Sequence, residues 1–381
     1  MKVLHVVPTL DPRQGGPGAA ARGMAKHLLA QGVDTLICAT TAGPQWPSDG
    51  VPTVQLPVTG SAIFPLSFAY SPRLARWMEE RVGDFDILHV HTIFNFTSAW
   101  ACRVARRRDV PYVVSTCGML DPWSLAQRRV KKSIWLRVIE RANLNGAAAI
   151  HATSEEERRA ASRYVEEAAC VVIPLGVDLP RPRIVEPVIV ESVAGRKRIL
   201  FLSRIGPGKG LERIVAALSG LRLRDDFSFV IAGSGAPAYE QQLRRLVSAA
   251  GLDPVTQWSG FVSGETKDRL FRSADIFVLP SEHENFGIAI AEAMSYGKAV
   301  VISDRVHMHR LVNANSAGIV IGAGGESLAQ ALQRLLGDAA LRARYGANAA
   351  SVAARYFSWS SITPQLVDLY RRCVKDRPVT A

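Results

Sequence analysis

Long apolar runs are missing from this 381-residue chain, and none approaches the roughly 18–20 residues needed to cross a bilayer. Cysteine is scarce. Cys38, Cys102, Cys117, Cys170 and Cys373 are odd in number, widely spread and without a CxxC pair. That excludes a disulfide framework and a cysteine zinc site, and it fits a reducing compartment. No low-complexity tract or fixed-period repeat occurs, which removes solenoids and disordered arrays. The opening MKVLHVVPTL has one lysine and a short apolar run ending at a proline. It reads as a first strand, not a secretory signal. Acidic residues are also short: 34 Asp plus Glu face 46 Lys plus Arg, a surplus of 12 positive charges. Such a surplus attracts anions. No zinc-finger, RRM or basic-zipper pattern accompanies it, so a nucleic-acid partner is not expected.

The chain has enough length for two domains of about 150–200 residues. Apolar runs alternate with helical patterns. Val3–Val7, Thr35–Ala39, Ile87–Val90, Tyr112–Ser115, Ala148–His151 and Val171–Ile173 predict strands, with helices at Ala19–Ala30, Pro72–Val82 and Ser98–Arg108. The alternation pauses over Ile173–Asp178 and the proline-rich Leu179–Val190, an expected linker. It resumes with strands at Arg198–Ser203, Phe229–Ala232, Ile276–Leu279 and Ala299–Ile302. Continuous apolar strands between helices imply parallel sheets covered on both faces. The expected fold is α/β: two Rossmann-like doubly wound domains facing across a cleft, the first spanning 1–178 and the second 179–359. Ligands of such sheets bind beyond the carboxyl ends of the strands.

Three segments carry chemistry. In the first, a strand ends at Pro280, a loop carries Glu284, Asn285, Phe286 and Gly287, and a helix begins near Phe286 or Gly287. Glu292 follows Glu284 by eight residues, about 12 Å if helical. A helix amino end suits a diphosphate. One element is thus expected to hold a sugar at Glu284, phosphates at the amides of Phe286–Ile288 and a ribose at Glu292. Glu292 sits among apolar helix residues, so it is expected to be buried and partnered. In the second segment, Arg204 and Lys209 flank a Gly-Pro-Gly turn, where two cations would stabilise a leaving diphosphate. In the third, Gln14-Gly15-Gly16-Pro17-Gly18 opens a helix after the first strand. It meets the dinucleotide fingerprint, but the second strand lacks the acidic residue that NAD needs. Asp84-Phe85-Asp86 stands at the amino end of its strand, the wrong edge for a ligand. His89 and His91 are read as facing opposite sides, with His91 at the carboxyl end reaching a ligand. Two histidines without carboxylate or thiol companions predict no metal site, and no cofactor is expected.

Together these segments resemble the retaining glycosyltransferases of family four, with the GT-B architecture. The resemblance covers the glycine loop, Arg204–Gly210, Gly233-Ser-Gly235, Ser259–Val262 and the E-x7-E element with its ENFG core. Cys117–Trp123 and His151–Ser154 look like a bacterial branch that builds surface polysaccharides. The resemblance implies transfer of a hexose from a GDP- or UDP-linked donor to a saccharide or lipid-linked acceptor, with retention and without metal. It implies that Arg204 and Lys209 hold the diphosphate, Glu284 the sugar and Glu292 the ribose, with Gly15, Gly16 and Gly233 also at the donor. Relatives commonly place a histidine before Gly118 where this chain has Cys117; either His91 takes over that contact or the sugar preference differs. The first domain would bind acceptor and the second donor, with a last helix, Ile362–Val374, crossing back so that 360–381 complete the first domain. The cationic segment Gln127–Arg141 carries Trp135, Leu136, Val138 and Ile139. It reads either as a core helix with a wet face or as a surface that rests on anionic lipid at the inner face of the cytoplasmic membrane. An epimerase or phosphorylase on the same scaffold, and a non-catalytic sugar-nucleotide binder, are the competing functions.

Overall fold

The computed structural model describes residues 1–60, 65–166, 169–180, 196–221, 227–322 and 324–375. It divides into two compact units, Met1–Gly176 with Trp359–Ala381, and Val177–Ser358. Most of the expected linker, 181–190, lies outside the described residues.

The first unit is built on a seven-stranded parallel sheet of order β3-β2-β1-β4-β5-β6-β7. Its strands are β1 (Lys2–Thr9), β2 (Asp34–Thr41), β3 (Thr53–Pro57), β4 (Ile87–His91), β5 (Tyr112–Ser115), β6 (Ala149–Ala152) and β7 (Cys170–Val172). The second unit has six parallel strands in the order β10-β9-β8-β11-β12-β13. They are β8 (Lys197–Leu202), β9 (Phe227–Ala232), β10 (Thr256–Gly260), β11 (Ile276–Leu279), β12 (Ala299–Ser303) and β13 (Gly318–Ile321). Both orders reverse at the first strand of the sheet, the Rossmann-like arrangement.

Side chains alternate across a strand, so each face of the first sheet draws on one parity. Leu4, Val6, Leu88, Val90, Tyr112, Val114 and Ile150 pack with Leu74, Met78, Ala101 and Val104 of the helices Pro72–Arg81 and Phe96–Arg107. On the other face Val3, Ile87, Val113 and Ala149 pack with Met24 and Leu28 of the helix Gly16–Ala30 and with Ile362, Leu366 and Tyr370 of the closing helix Trp359–Lys375. The closing helix belongs to the first unit, and Trp359 anchors it there. A Cβ on Gly23 would lie 2.4 Å from its ring, and one on Gly176 would lie 2.3 Å away. Both positions therefore need glycine. Burying one indole removes about 200 Å² from water, an upper contribution of roughly 5 kcal/mol.

Toward the carboxyl ends of β1, β4, β5 and β6 that second face turns polar. His5 pairs in register with His89, His91 with Ser115, and Ser115 with His151. His89 and His91, two apart on one strand, share this face and stack with ring centroids 4.4 Å apart. The expectation that they face opposite sides is thus overturned, because the strand period is two. All four histidines are buried. His89 hydrogen-bonds to the Tyr370 hydroxyl (2.6 Å) and to Ser115 Oγ (2.7 Å). Ser115 meets His151 Nδ1 at 2.9 Å, and His151 Nε2 donates to the Ile173 carbonyl at 2.7 Å.

Burial depresses the pKa of every member of this layer, that of His5 to about 3, with the neighbouring imidazoles adding to the effect at His5, His89 and His91. They fold neutral, whereas in the unfolded chain they take up protons below about pH 6.5. The unfolded state then binds more protons, so stability is full above that pH and is lost as pH falls. Each histidine contributes about 1.4 kcal/mol per pH unit once its unfolded form is titrated. The urea midpoint is expected to fall markedly between pH 7.5 and pH 5.5. An unchanged midpoint would contradict a neutral histidine layer.

Candidate functional site

Three loops at the carboxyl edge of the second sheet come together because β9, β8 and β11 are neighbours. The loop after β8 carries Arg204, then Gly208 and Gly210, both with φ +81°. A Cβ on Gly210 would lie 2.5 Å from the Pro280 carbonyl in the loop after β11. Those two loops are also bonded: the Glu282 amide donates to the Gly208 carbonyl (2.8 Å), and Arg213 donates to that of Pro280 (3.2 Å). The loop after β9 approaches more closely. Gly233 has φ +142°, and a Cβ there would lie 1.9 Å from the Ser203 carbonyl. Gly235 would meet that of Ile205 at the same distance. Only glycine permits these contacts.

This packing brings Lys209 against Glu284 as a direct ion pair. Glu284 is fixed through its backbone, donating to the Arg305 carbonyl (3.3 Å) and accepting from the His307 amide (3.1 Å). Arg204 is exposed and forms no ion pair among the described residues. The helix after this loop runs Ile288–Ser295, with Gly287 at φ +78° as its N-cap. The helix therefore starts later than expected. A left-handed residue cannot belong to it, so half of the eight-residue span from Glu284 to Glu292 is loop and the 12 Å rise does not apply. Phe286 is buried, edge-on to Phe357 at 5.4 Å. The amides left open by the first turn are those of Ile288 and Ala289.

Glu292 is not buried. Ile290, Ala291, Ala293 and Met294 face the core, while Ile288, Ala289 and Glu292 form the partly open stripe. Its Oε1 accepts from Lys267 Nζ at 2.5 Å, a cation on the helix Gly264–Ser273 that no motif of the sequence marks. The second unit therefore gathers Arg204, Lys209, a helix amino end and two carboxylates on elements that follow adjacent strands. The arrangement can neutralise a diphosphate while carboxylates accept from hydroxyls.

In the first unit Gly15, with φ +110°, caps the helix Gly16–Ala30. A Cβ on Gly18 would come 2.7 Å from the Thr9 carbonyl, which explains the glycine where helix and strand meet. Non-glycine residues with positive φ cluster after β4 and β5: Thr92 (+71°), Phe94 (+62°) and Cys117 (+52°). Each costs about 1–3 kcal/mol, and such strain collects at functional sites. Cys117 is partly exposed. His91 is not: it is buried, with Nε2 2.9 Å from His5 Nδ1. The ligand contact expected of it finds no support in this placement. The ligand atoms of His5, His89 and His91 lie within 4.8 Å of one another, a spacing a metal could bridge. Both nitrogens of His89 are already hydrogen-bonded, and the rings stack instead of converging. Asp84 pairs with Arg81 and Asp86 accepts from the Lys2 amide, so this acidic motif is spent on loop structure.

The cationic segment is a helix, Arg129–Trp135, continued through a π-turn at Leu136–Glu140 to Asn145. Leu136 packs against the core, and Trp135 lies edge-on to Phe68 at 5.4 Å. Outward on one stripe stand Val130, Ile134 and Val138, at 74, 60 and 71% exposure, with exposed Trp123 before them. Among the four apolar residues singled out in this segment, only Val138 is exposed. No helix is long and apolar enough to cross a membrane among the described residues.

A model of the glycosyl transferase 4-like domain matches residues 15–176, and one of glycosyl transferases group 1 matches 186–352. The phosphatidyl-myo-inositol mannosyltransferase of Mycobacterium leprae is 30% identical over 97% of this chain and 96% of its own. The GDP-mannose:cellobiosyl-diphosphopolyprenol alpha-mannosyltransferase of Xanthomonas oryzae is 28% identical over 97% and 96%. Among solved structures, Anabaena HepE with UDP and glucose superposes with a TM-score of 0.75 at 19% identity, covering 98% of this chain and all of that one. The chain belongs to the group 1, or family 4-like, glycosyltransferases. It is a glycosyltransferase of two Rossmann-like domains in the GT-B fold.

Proposed function

We propose that the protein is a retaining, metal-independent hexosyltransferase, with the second unit holding a GDP- or UDP-linked sugar and the first an acceptor. The observation that carries this is the Lys209–Glu284 pair, set where two bonded loops lead into a helix amino end. Arg204 and Lys209 balance the diphosphate, aided by the amides of Ile288 and Ala289 and approached by Gly233. Glu284 accepts from sugar hydroxyls, with Asn285 and Gly287 shaping the loop, and Glu292 accepts from the ribose. From the first unit, Gly15, Gly16 and Cys117 meet the transferred sugar. As the glycosidic bond breaks, negative charge grows on the leaving diphosphate, where fixed cations and helix amides are most effective. No cofactor has a part in this chemistry. Two relatives matched along nearly the whole chain are named as mannosyltransferases, which puts mannose first among donors. Their names also carry lipid or polyprenol acceptors, consistent with bacterial polysaccharide assembly at the inner face of the cytoplasmic membrane.

The outward stripe Val130, Ile134 and Val138 suits that location. Apolar tips flanked by Arg128, Arg129, Lys131, Arg137 and Arg141 can enter the headgroup region of an anionic membrane while the cations pair with phosphates.

Lys209→Ala and Glu284→Ala are each expected to lower transfer from a nucleotide-sugar panel at least about a hundredfold while melting within a few degrees of the parent. Full activity in both would refute the site. EDTA is expected to leave the rate unchanged; loss restored by a divalent cation would overturn the metal-independent mechanism. Sedimentation with phosphatidylglycerol vesicles is expected to fail in the double variant Val130→Glu, Ile134→Glu and with phosphatidylcholine alone. Undiminished binding of the variant would remove this surface from the membrane contact.

A further inference from the structure

We propose that Glu157 is a positioning residue for sugar transfer, holding the turn Thr116-Cys117-Gly118 in its working shape. This rests on the assignment of Cys117 to the transferred sugar.

Glu157 lies in the first turn of the helix Glu155–Ala161, and its amide donates to the N-cap Ser154 hydroxyl at 3.1 Å. A glutamate at this position would commonly reach back to the N-cap amide. Here the carboxylate turns to the two loops flanking it. Oε2 accepts from the Thr153 amide and hydroxyl, both at 2.8 Å. Oε1 accepts from the Thr116 hydroxyl at 2.7 Å and the Gly118 amide at 2.6 Å. The side chain is buried, and these four bonds join the loop after β5 to the loop after β6.

The turn it grips bears unusual strain. Cys117 at φ +52° and Gly118 at φ +73° are consecutive left-handed residues, a region where a side chain is strained. Such a turn persists only if its surroundings determine it. A buried carboxylate is a costly way to close a loop, because desolvation takes several kcal/mol that apolar packing would not incur. The four donors offset that cost at one geometry only, so the charge fixes the turn more tightly than a hydrophobic contact would. Its charge has a second effect. Burial first, and then Glu157, push the Cys117 thiol up to about 12. The sulfur stays protonated, donating toward the Ser115 carbonyl at 3.7 Å. An ionised sulfur would repel a diphosphate donor.

Glu157→Gln keeps the shape but sets an amide N–H against donors. Thr116→Val removes one donor to Oε1, and Thr116→Ser restores it. Transfer rates, donor KM, melting temperature and alkylation of Cys117 would be measured; the other four cysteines are buried. The expected result for Glu157→Gln is kcat lowered about 30-fold with donor KM changed less than about 3-fold, and Cys117 alkylated about tenfold faster. Thr116→Val should move the same way by less, and Thr116→Ser should match the parent. Unchanged kcat in folded Glu157→Gln overturns the proposal whether or not labelling accelerates. If Glu157→Gln does not fold, the Thr116 pair decides: equal kcat and labelling in Val and Ser overturns it. Loss of transfer in Lys209→Ala beside normal Glu157 and Thr116 variants sinks this proposal alone. Retained transfer in Lys209→Ala and Glu284→Ala sinks the donor site instead.

Discussion

An ammonium group set against a carboxylate where a helix begins is the interaction around which the second unit is arranged. Such a pair contributes little to stability, because partial desolvation offsets most of the attraction. Its value is that both charges are held ready. Lys209 and Glu284 occupy loops after adjacent strands, and neither could be placed without the other's loop. An arriving diphosphate would take a share of the lysine and free part of the carboxylate for hydroxyl donors, so little rearrangement is needed. Glu292 and Lys267 repeat the device one helical turn further on. A bare surface carboxylate would spend its time solvated, whereas a partnered one is held in place.

Close backbone approach makes this possible. Gly210, Gly233 and Gly235 each sit where a side chain would strike a carbonyl oxygen of a neighbouring loop. A methyl group at any of them would push apart the loops that carry Arg204, Lys209 and Glu284. The glycines of this edge are thus part of the site although they contribute no functional group. Gly287 acts differently, since its left-handed backbone ends the loop and aims the first helical amides outward.

Much of this was legible in the sequence, for reasons of burial. The interior strands β8, β11 and β12 carry continuous apolar runs because both faces are covered, and β1, β4 and β5 do so apart from the histidines and serine of the polar layer. The edge strands β3 and β10 were not legible. Their residues are half-buried and mixed, TVQLP and TQWSG, and pairing on one side suffices to hold them. β13 begins at Gly318, where a Cβ would lie 2.1 Å from the Val300 carbonyl oxygen, so the strand opens on a residue that carries no apolar signal. Glu284, Lys209 and the late helix start show a sharper limit. Residue types announced an anion site, but the onset depended on one backbone angle at Gly287, which composition does not encode. The apolar neighbours of Glu292 suggested burial all round, yet three positions of that short helix stay open. His89 and His91 were misassigned through strand parity, and the polar layer they share with His5 and His151 needs β1, β4, β5 and β6 side by side before it exists.

The carboxyl edge of the first sheet meets the same physical problem twice. After β4, Phe94 is left-handed and its amide donates to Glu140 at 2.7 Å, a buried carboxylate that also accepts from Trp135 (2.9 Å) and Asn143 (3.1 Å). After β5, Cys117 is left-handed and Glu157 grips the residues on either side of it. Each carboxylate accepts from neutral donors drawn from separate segments. Burial pushes Glu140 toward its protonated form while its donors and the nearby Arg106 pull the other way. Removing a donor from so balanced a group leaves an unsatisfied charge, not merely a lost bond. Glu140 also stands on the helix whose outward stripe is Val130, Ile134 and Val138. The one side chain therefore ties that surface to a strained loop at the sheet edge, so the position of the helix and the shape of the loop cannot vary independently.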